Sequence, residues 1–257
     1  INWCRVVVQS VHYFYGYYRA VEQVGDEVNF SVPSGAFGNL FGGYLARSMG
    51  LPVNKFICAN NANQTLHTIF SSGVLAKKNL VQTISTAIDI VVPYNFWRFL
   101  YYCTGSDSEK LKVWQDEFKS SGKVEFDAAT LNAIQNGFMS VTVSDYETSK
   151  TIKDTFETCD GYLLDPHTAV AVAAANTLRD MLPKKMKVIC LATAHPAKFP
   201  ETTRACLNLG TEMPNQGKHV SLERVSKVCQ HVRICDLENL EFALIDAMTT
   251  RLKMQAD

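Results

Sequence analysis

Short segments of mostly apolar sequence recur in this chain between longer helical stretches. Residues 29–33, 55–60 and 187–192 read NFSVP, KFICAN and KVICLA, without a regular alternation of polar and apolar side chains. Strands of this kind are typical of a parallel sheet that is covered by helices on both faces. The sequence therefore predicts an α/β fold, a three-layer domain with a parallel sheet. A weaker strand is predicted at residues 233–237, RICDL.

Helical patterns occupy most of the remaining chain. The region of about 64–182 is mainly helical and is interpreted as an insertion within the sheet domain. Asp127 and Ser144 are plausible N-caps, and Glu147 lies where it would complete a capping box with Ser144. The predicted helices span residues 38–49, 94–103, 106–120, 127–136, 144–159, 166–182, 196–207 and 237–254.

The first 23 residues are apolar but are interrupted by polar and charged side chains. Arg5, Gln9, His12, Arg19 and Glu22 occur too often for a membrane-spanning helix. The run also lacks the small-residue cleavage site of a signal peptide. A helix buried on most sides fits this pattern better. Because the chain begins inside such a helix, we expect it to be a piece of a longer protein.

Composition excludes several classes of function. The chain has 257 residues, and its 25 basic side chains balance its 25 acidic ones, so no nucleic-acid or membrane partner is predicted. None of the eight cysteines forms a C-x-x-C pair, and several lie in apolar runs. This pattern predicts buried, reduced thiols in a soluble protein of a reducing compartment, the cytoplasm or a plastid. The cysteines and histidines show no zinc-ligand spacing, so no metal site is predicted.

A glycine-containing loop, SGAFG, joins the first predicted strand to the following helix. Such a loop presents free backbone amides at the positive end of a helix, which is a suitable site for a phosphate. The same residues also fit a plain tight turn. The loop is neither a dinucleotide fingerprint nor a nucleotide P-loop, because it lacks the G-x-G-x-x-G spacing and the lysine with a hydroxyl residue. From the residues alone both interpretations remain open.

Five motifs in order resemble the threonine synthase family, enzymes with the tryptophan-synthase-like fold that use pyridoxal phosphate. INWCRVVVQ resembles the family's INWARI segment, and SVPSGAFGNLFGGYLARSMGLPVNKFICANNANQTLH resembles its SVPSGNFGD loop and the segments that follow. AIDIVVPYNFWRFL is similar to A-M-D-I followed by N-F-x-R, and DPHTAVAV to E-P-H-x-A-V. LATAHPAKFPE is similar to G-T-A-H-P-A-K-F and is the most specific of the five.

The resemblance implies that the loop holds the cofactor phosphate. Gly35, Ala36, Phe37 and Gly38 would present their backbone amides to it, although Ala36 replaces the asparagine usual in the family. The resemblance also places the hydroxyl of Thr193 against the pyridine nitrogen. A hydroxyl there would leave the pyridine ring largely neutral. From its position alone, Thr193 could equally satisfy a turn at the end of a strand.

Other residues of these motifs are candidates for substrate binding. His195 and Lys198 could position a phosphate, or could close a helix N-terminus and face solvent. His167 could line the cleft or cap the helix that follows it. Asn95 is interpreted as structural, and the role of Arg98 is left open.

The family's Schiff-base lysine, in a segment like F-K-D, and its T-S-G-D-T-G loop do not occur in this sequence. We therefore expect the lysine upstream of Ile1, in a missing N-terminal part, with no catalytic residue in this chain. The resemblance implies that the parent protein converts O-phosphohomoserine and water to threonine and phosphate. Two alternatives remain: a threonine synthase-like phospho-lyase that releases a 2-oxo acid, and a non-catalytic fragment that acts as a binding or signalling protein.

Overall fold

The computed structural model describes residues 2–228, 232 and 234–254, in two compact units of residues 1–218 and 219–257. The strands are β1 (Val28–Pro33), β2 (Val53–Asn60), β3 (Val74–Ala76), β4 (Lys123–Glu125), β5 (Phe138–Thr142) and β6 (Val188–Cys190). The helices of the first unit are α1 (Trp3–Ala20), α2 (Gly38–Ser48), α3 (Thr65–Ser72), α4 (Phe96–Cys103), α5 (Ser108–Ser121), α6 (Ala128–Gln135), α7 (Asp145–Thr158), α8 (Pro166–Thr177) and α9 (Pro200–Leu207).

The main sheet of the first unit has four parallel strands in the order β5-β2-β1-β6. β1 pairs with β2 through Phe30 and Phe56, and with β6 through Ser31 and Cys190. β3 and β4 form a separate antiparallel pair. The parallel sheet predicted from the apolar segments is therefore confirmed.

Helices cover both faces of this sheet. Phe30 and Phe56 belong to a core cluster that also contains side chains of α1, α2 and α4. Ile57, the neighbour of Phe56 along β2, belongs to a second cluster with residues of α8. Successive strand residues point to opposite faces, so the two clusters mark the two sides of the sheet. α8 is buried nearly all round, as expected of a helix packed inside a domain.

Helix α1 differs from its prediction, because its side chains are buried on one face and not on most sides. The buried residues of α1 recur at helical spacing, and they are Val6, Ser10, Tyr13 and Tyr17. Val8, Val11 and Tyr15 are exposed, and within the described residues α1 packs mainly against α2 and β6. No helix in the described part of the chain is long and apolar enough to cross a membrane.

Within residues 64–182, the sequence predicted helices and missed a strand of the main sheet. β5 pairs with β2 along its whole length, from Phe138 to Thr142. It is short and follows α6 after a two-residue turn, so only Gly137, with a φ of +82°, marks the boundary in the sequence. The predicted caps are confirmed: Asp127 caps α6, and Ser144 forms a capping box with Glu147 at α7. The limits of an insertion remain a prediction.

The second unit contains α10 (Val220–Ser226) and α11 (Leu240–Met254). The strand predicted at residues 233–237 is wrong over residues 234–237, which form no strand, while residue 233 lies outside the described residues. Ile234 is 94% exposed, so the apolar pattern there does not mark a buried strand. A 3-10 turn at Leu237–Asn239 precedes α11.

All seven cysteines that the structure describes are free thiols. Cys58 is buried, and Cys103, Cys190 and Cys206 are partly buried. Cys4, Cys159 and Cys235 are exposed, which differs from the burial that the apolar runs predicted. These three lie in or beside helices, so an apolar neighbourhood in the sequence did not place them in the core.

Candidate functional site

The loop from Ser34 to Phe37 leaves the carboxyl end of β1 and enters α2. Phe37 has φ 66° and ψ 5°, in the left-handed region, and no side chain caps α2 at this point. Its ring is buried and packs against Phe96 and Phe99, with ring centroids 5.2 Å away in both cases. The aromatic packing therefore holds the backbone in a conformation that non-glycine residues seldom adopt.

The backbone amides of residues 35–38 donate to no acceptor among the described residues. The amide of Ser34, by contrast, donates to the carbonyl of Ala59 at 2.9 Å. Free amides at a helix N-terminus favour an anion, because they add to the positive end of the helix dipole. The loop thus has the donors predicted from its sequence, and their convergence on one point remains a prediction.

Two glycines of the loop are required by close packing. A Cβ atom on Gly35 would lie 2.8 Å from the carbonyl oxygen of Ile88. A Cβ atom on Gly38 would lie 3.0 Å from Nδ2 of Asn95. Any side chain at either position would therefore displace a neighbour of the loop.

The loop faces a cavity of about 210 Å³, which we call the loop cavity. Its lining includes Asn2 before α1, Arg5 and Gln9 of α1, residues 33–39, Ala87, Ile88, Tyr94 and Asn95. Among these described residues Arg5 is the one side chain with a full charge, and no carboxylate lines the cavity. Since an anion would meet amides and a guanidinium there, the electrostatics favour a phosphate.

Hydrogen bonds from two asparagines hold the carbonyl groups of the loop. Asn60, at the end of β2, is fully buried and donates through Nδ2 to the carbonyl of Ser34 at 2.8 Å. The backbone N–H of Asn95 donates to the carbonyl of Ala36 at 3.1 Å. Both carbonyls are thereby satisfied by hydrogen bonds, whereas the amides of residues 35–38 have no acceptor among the described residues.

A polar cluster fixes the segment that packs on Gly35. Oδ1 of Asp89 accepts from Asn61 at 2.7 Å, from Asn63 at 3.0 Å and from Thr83 at 2.7 Å. The two asparagines belong to the NNAN segment at the carboxyl end of β2. Their buried amides are satisfied by this carboxylate, so the segment of residues 83–89 has a fixed place beside the loop.

His167 is buried beside the loop cavity, and it lines neither this cavity nor the cavity beside Thr193. Its Nε2 accepts a hydrogen bond from the N–H of Ala87 at 2.9 Å, so Nε2 carries no proton. Its Nδ1 then donates to Asp165 at 2.9 Å. The cap of α8 is Asp165 itself, which accepts from the N–H of His167. The structure thus favours neither alternative that the sequence left open for His167.

Thr193 and His195 line a second cavity, of about 620 Å³, beyond the carboxyl end of β6. Thr193 is exposed. Nδ1 of His195 accepts from the N–H of Ala197 at 3.1 Å and so caps the 3-10 turn Pro196–Lys198. Lys198 is exposed at the end of that turn and is not part of the cavity lining.

The two cavities lie at the same edge of the sheet. Ser31 of β1 pairs with Cys190 of β6 in a parallel register, so Ser34 and Thr193 both follow the paired residues by three positions. Among the described residues no side chain lines both cavities. Hydrogen bonds connect the two cavities. His167 donates to Asp165, which lines the second cavity, and accepts from the N–H of Ala87, which lines the loop cavity. Ligands of parallel sheets gather at this edge.

Four residues of the loop cavity were not predicted as ligands from the sequence. Arg5 and Gln9 lie in the INWCRVVVQ motif, and Oε1 of Gln9 is buried without a hydrogen-bond partner. Asn39 accepts through Oδ1 from Tyr13 at 3.0 Å. Asn95 lies in the NFWR motif and was interpreted as structural. The motifs contained these residues, but only the fold shows that they face one cavity.

Comparisons with known proteins agree with this architecture. Residues 168–241 match the family model for the C-terminal part of threonine synthase. Threonine synthase of Pseudomonas aeruginosa is 42% identical over 204 residues, which are 78% of this chain and 42% of that protein. The crystal structure of threonine synthase from yeast superposes with a TM-score of 0.87 at 32% identity and covers 97% of this chain and 53% of that one.

A second solved structure is described as threonine synthase from Brucella melitensis with bound pyridoxal phosphate. It has a TM-score of 0.77 at 35% identity and covers 84% of this chain and 45% of that one. The chain spans about half the length of the relatives that it matches.

Proposed function

We propose that this chain supplies the phosphate-binding side of a pyridoxal phosphate site. The chain belongs to the threonine synthase family and matches the C-terminal part of its members. In the parent protein this site would act in the conversion of O-phosphohomoserine and water to threonine and phosphate. The relatives reported above are named threonine synthase, and this chain covers less than half of the Pseudomonas protein.

One observation carries the cofactor proposal: the free amides of residues 35–38 open onto a cavity without carboxylates. A phosphate fits this donor set, since oriented amides and a helix N-terminus favour a dianion. A Cβ atom at Gly35 or Gly38 would crowd the neighbours that frame the loop. The absence of side chains at these two positions leaves the backbone accessible.

The remaining residues are assigned by their place around this edge of the sheet. The Thr193 hydroxyl would bond the pyridine nitrogen without adding a charge. His195, which lines the second cavity, and the exposed Lys198 of the same 3-10 turn would bind the substrate phosphate. His167 would position Ala87 and the segment of residues 83–89 beside the loop. When bound, pyridoxal phosphate supplies the electron sink that the elimination of phosphate requires.

The test of the cofactor site uses this chain and two probes, pyridoxal 5′-phosphate and phosphate-free pyridoxal. We expect isothermal titration to show weak binding of the first and at least tenfold weaker binding of the second, because the phosphate meets the loop amides. Thr193→Val removes the hydroxyl and keeps the shape of the side chain, so it should lower the affinity for both probes by the same factor. Equal affinity of the unchanged chain for the two probes would contradict a phosphate site in the loop.

The test of the reaction uses the full-length parent protein with O-phosphohomoserine. We expect threonine and phosphate in equal amounts by chromatography. A 2-oxo acid in place of threonine would identify a phospho-lyase, and no turnover would favour a non-catalytic protein. Each of these two outcomes would overturn the threonine-forming reaction.

A further inference from the structure

We propose that Asn95 is a further ligand of the phosphate held by the loop, and that Arg98 is a positioning residue that orients the Asn95 amide. This inference rests on the proposed cofactor site. It assigns a binding role to a side chain that the sequence had suggested to be structural.

Asn95 lies directly against the loop. Its side chain is 5% exposed, and it lines the loop cavity. Its backbone N–H donates to the carbonyl of Ala36 at 3.1 Å, and its Nδ2 is 3.0 Å from the point where a Cβ of Gly38 would be. Asn95 therefore touches the loop through both its backbone and its side chain.

Arg98 determines which end of the amide faces the cavity. Nη1 of Arg98 donates to Oδ1 of Asn95, so the oxygen is turned towards the guanidinium. An amide side chain carries its oxygen and its nitrogen on opposite branches, so Nδ2 is directed away from Arg98 and towards Gly38. The choice between oxygen and nitrogen follows from this partner, because a guanidinium has no acceptor for an N–H group.

The two N–H groups on Nδ2 have no acceptor among the residues that the structure describes. Unlike the sealed Oε1 of Gln9, Nδ2 stays accessible at the loop cavity, so its N–H groups are available to an acceptor on a bound group. The missing partner must be an acceptor. A phosphate oxygen at the amides of residues 35–38 would be such an acceptor.

The side chain of Asn95 does not cap the helix that follows it, although asparagine usually does so at this position. It stands at the N-cap of α4, where an asparagine side chain normally accepts from the first turn of the helix. No side-chain capping bond forms here, because Oδ1 accepts from Arg98 three residues later. Only the oxygen end of the side chain is therefore bound to α4, through Arg98, and the Nδ2 end remains at the loop cavity.

The arrangement suits a phosphate monoester in particular. The amide donates without a charge of its own, and the guanidinium behind it polarises the donor towards the anion. Arg98 remains outside the cavity lining, so it does not form a competing ion pair with the phosphate there. The amides of residues 35–38 and of Asn95 would then bind the same anion from two elements.

The test substitutes Asn95 in this chain and measures pyridoxal 5′-phosphate and pyridoxal by isothermal titration. Asn95→Asp keeps the shape and the backbone bond to Ala36 but replaces the donor with a negative acceptor. We expect at least tenfold weaker binding of pyridoxal 5′-phosphate and an unchanged affinity for pyridoxal. Asn95→Ala should weaken the first probe about fivefold, and it decides the question if the aspartate variant does not fold.

The matched control is Asn132→Asp, the same change at an exposed position of α6. It should bind both probes like the unchanged chain. Arg98→Met, which frees the Asn95 amide to rotate, should lower the affinity for pyridoxal 5′-phosphate less than Asn95→Ala does, again without an effect on pyridoxal. A purely structural role of Arg98 would lower both affinities together.

Two outcomes overturn the inference, and they are distinguishable. If Asn95→Asp and Asn95→Ala bind pyridoxal 5′-phosphate like the unchanged chain, Asn95 is not a ligand, while the proposed site stands. If the unchanged chain binds pyridoxal as tightly as pyridoxal 5′-phosphate, the phosphate site itself is wrong, and the assignment of Asn95 is wrong with it.

Discussion

Gly35 is the loop residue whose neighbours leave the least room for a side chain. Because the obstructing atoms belong to the backbone of Ile88, they cannot move aside as a flexible side chain would. Ile88 in turn belongs to the segment that the Asp89 cluster and His167 hold in place. The loop is therefore confined from the side of residues 83–89.

We predict that Gly35→Ala lowers the free energy of unfolding by about 1–3 kcal/mol, since a methyl group would be forced into backbone contact. The measurement is the urea midpoint followed by circular dichroism. Binding of pyridoxal 5′-phosphate should be lost as well, because the loop must shift. Gly210→Ala is the control, as a Cβ there meets no atom within 4 Å. Equal midpoints for the two variants would contradict the packing argument.

Cys58 gives a prediction about alkaline pH. Burial raises the pKa of its thiol from an ordinary value of 9.0 to about 12. The folded protein keeps a proton that the unfolded chain releases, so the stabilisation is complete below pH 9 and is lost as the pH rises towards 12. Cys58→Ala should therefore show a smaller fall in melting temperature above pH 9 than the unchanged chain.

The control for Cys58 is Cys159→Ala, which removes an exposed thiol. Its melting temperature should fall with pH in parallel with that of the unchanged chain. Parallel curves for all three proteins would show that the Cys58 thiol ionises as readily in the folded chain as in the unfolded one.

At the scale of elements, the start of α7 depends on a reciprocal pair. Ser144 accepts from the N–H of Glu147 at 3.2 Å, and the Glu147 carboxylate accepts from the N–H of Ser144 at 2.7 Å. The Ser144 hydroxyl and N–H also lower the pKa of Glu147. The carboxylate form of Glu147 is thus the one that the folded helix prefers.

We predict that Ser144→Ala destabilises the chain by about 1 kcal/mol at neutral pH, because the cap is lost. A carboxyl group with a lowered pKa stabilises the fold above its ordinary value and ceases to do so as the pH falls through its folded pKa. The loss of stability caused by Ser144→Ala should therefore become smaller below about pH 4. Urea unfolding at neutral and acidic pH checks this, with Ser108→Ala, an exposed serine in the first turn of α5, as the control.

Elements could be predicted from the sequence where the signal is local. The loop after β1 was predicted because an apolar strand, two glycines and a helix follow one another directly. Residues 138–142 were missed, since their strand character becomes evident only beside β2. The predicted burial of α1 on most sides was also wrong. Valines and aromatic side chains occur all round the helix, so the sequence does not show which single stripe is buried.

The site was predictable only in part for the same reason. The loop and Thr193 follow predicted strands, so an α/β fold places them at one edge. Asn95 and Gln9 reach the loop cavity from helices, and no local pattern shows which side of a helix faces a cavity formed by distant segments. Their roles required the packing of α1 and α4 around the loop.

At the scale of the whole molecule, the chain contains neither the lysine segment nor the T-S-G-D-T-G loop of the family. We predict that residues 1–257 alone, supplied with pyridoxal 5′-phosphate, release no more phosphate from O-phosphohomoserine than the buffer does. The reason is that the lysine normally joins the cofactor and transfers the protons. A molybdate assay measures the phosphate, with an intact threonine synthase as the positive control. Turnover near that of the control would place the reacting lysine within this chain.

The pairing of β1 with β6 has a consequence for the order of events during folding. β1 can pair with β2 early, because few residues separate Val28 from its partner Val53. The pairing of β1 with β6 joins Asn29 to Val188, which lies much further along the chain. Closing a long connection costs more chain entropy and slows the step that depends on it. The phosphate loop is therefore expected to form before the edge that carries Thr193, so a nascent chain would acquire the two ends of its ligand site at different times.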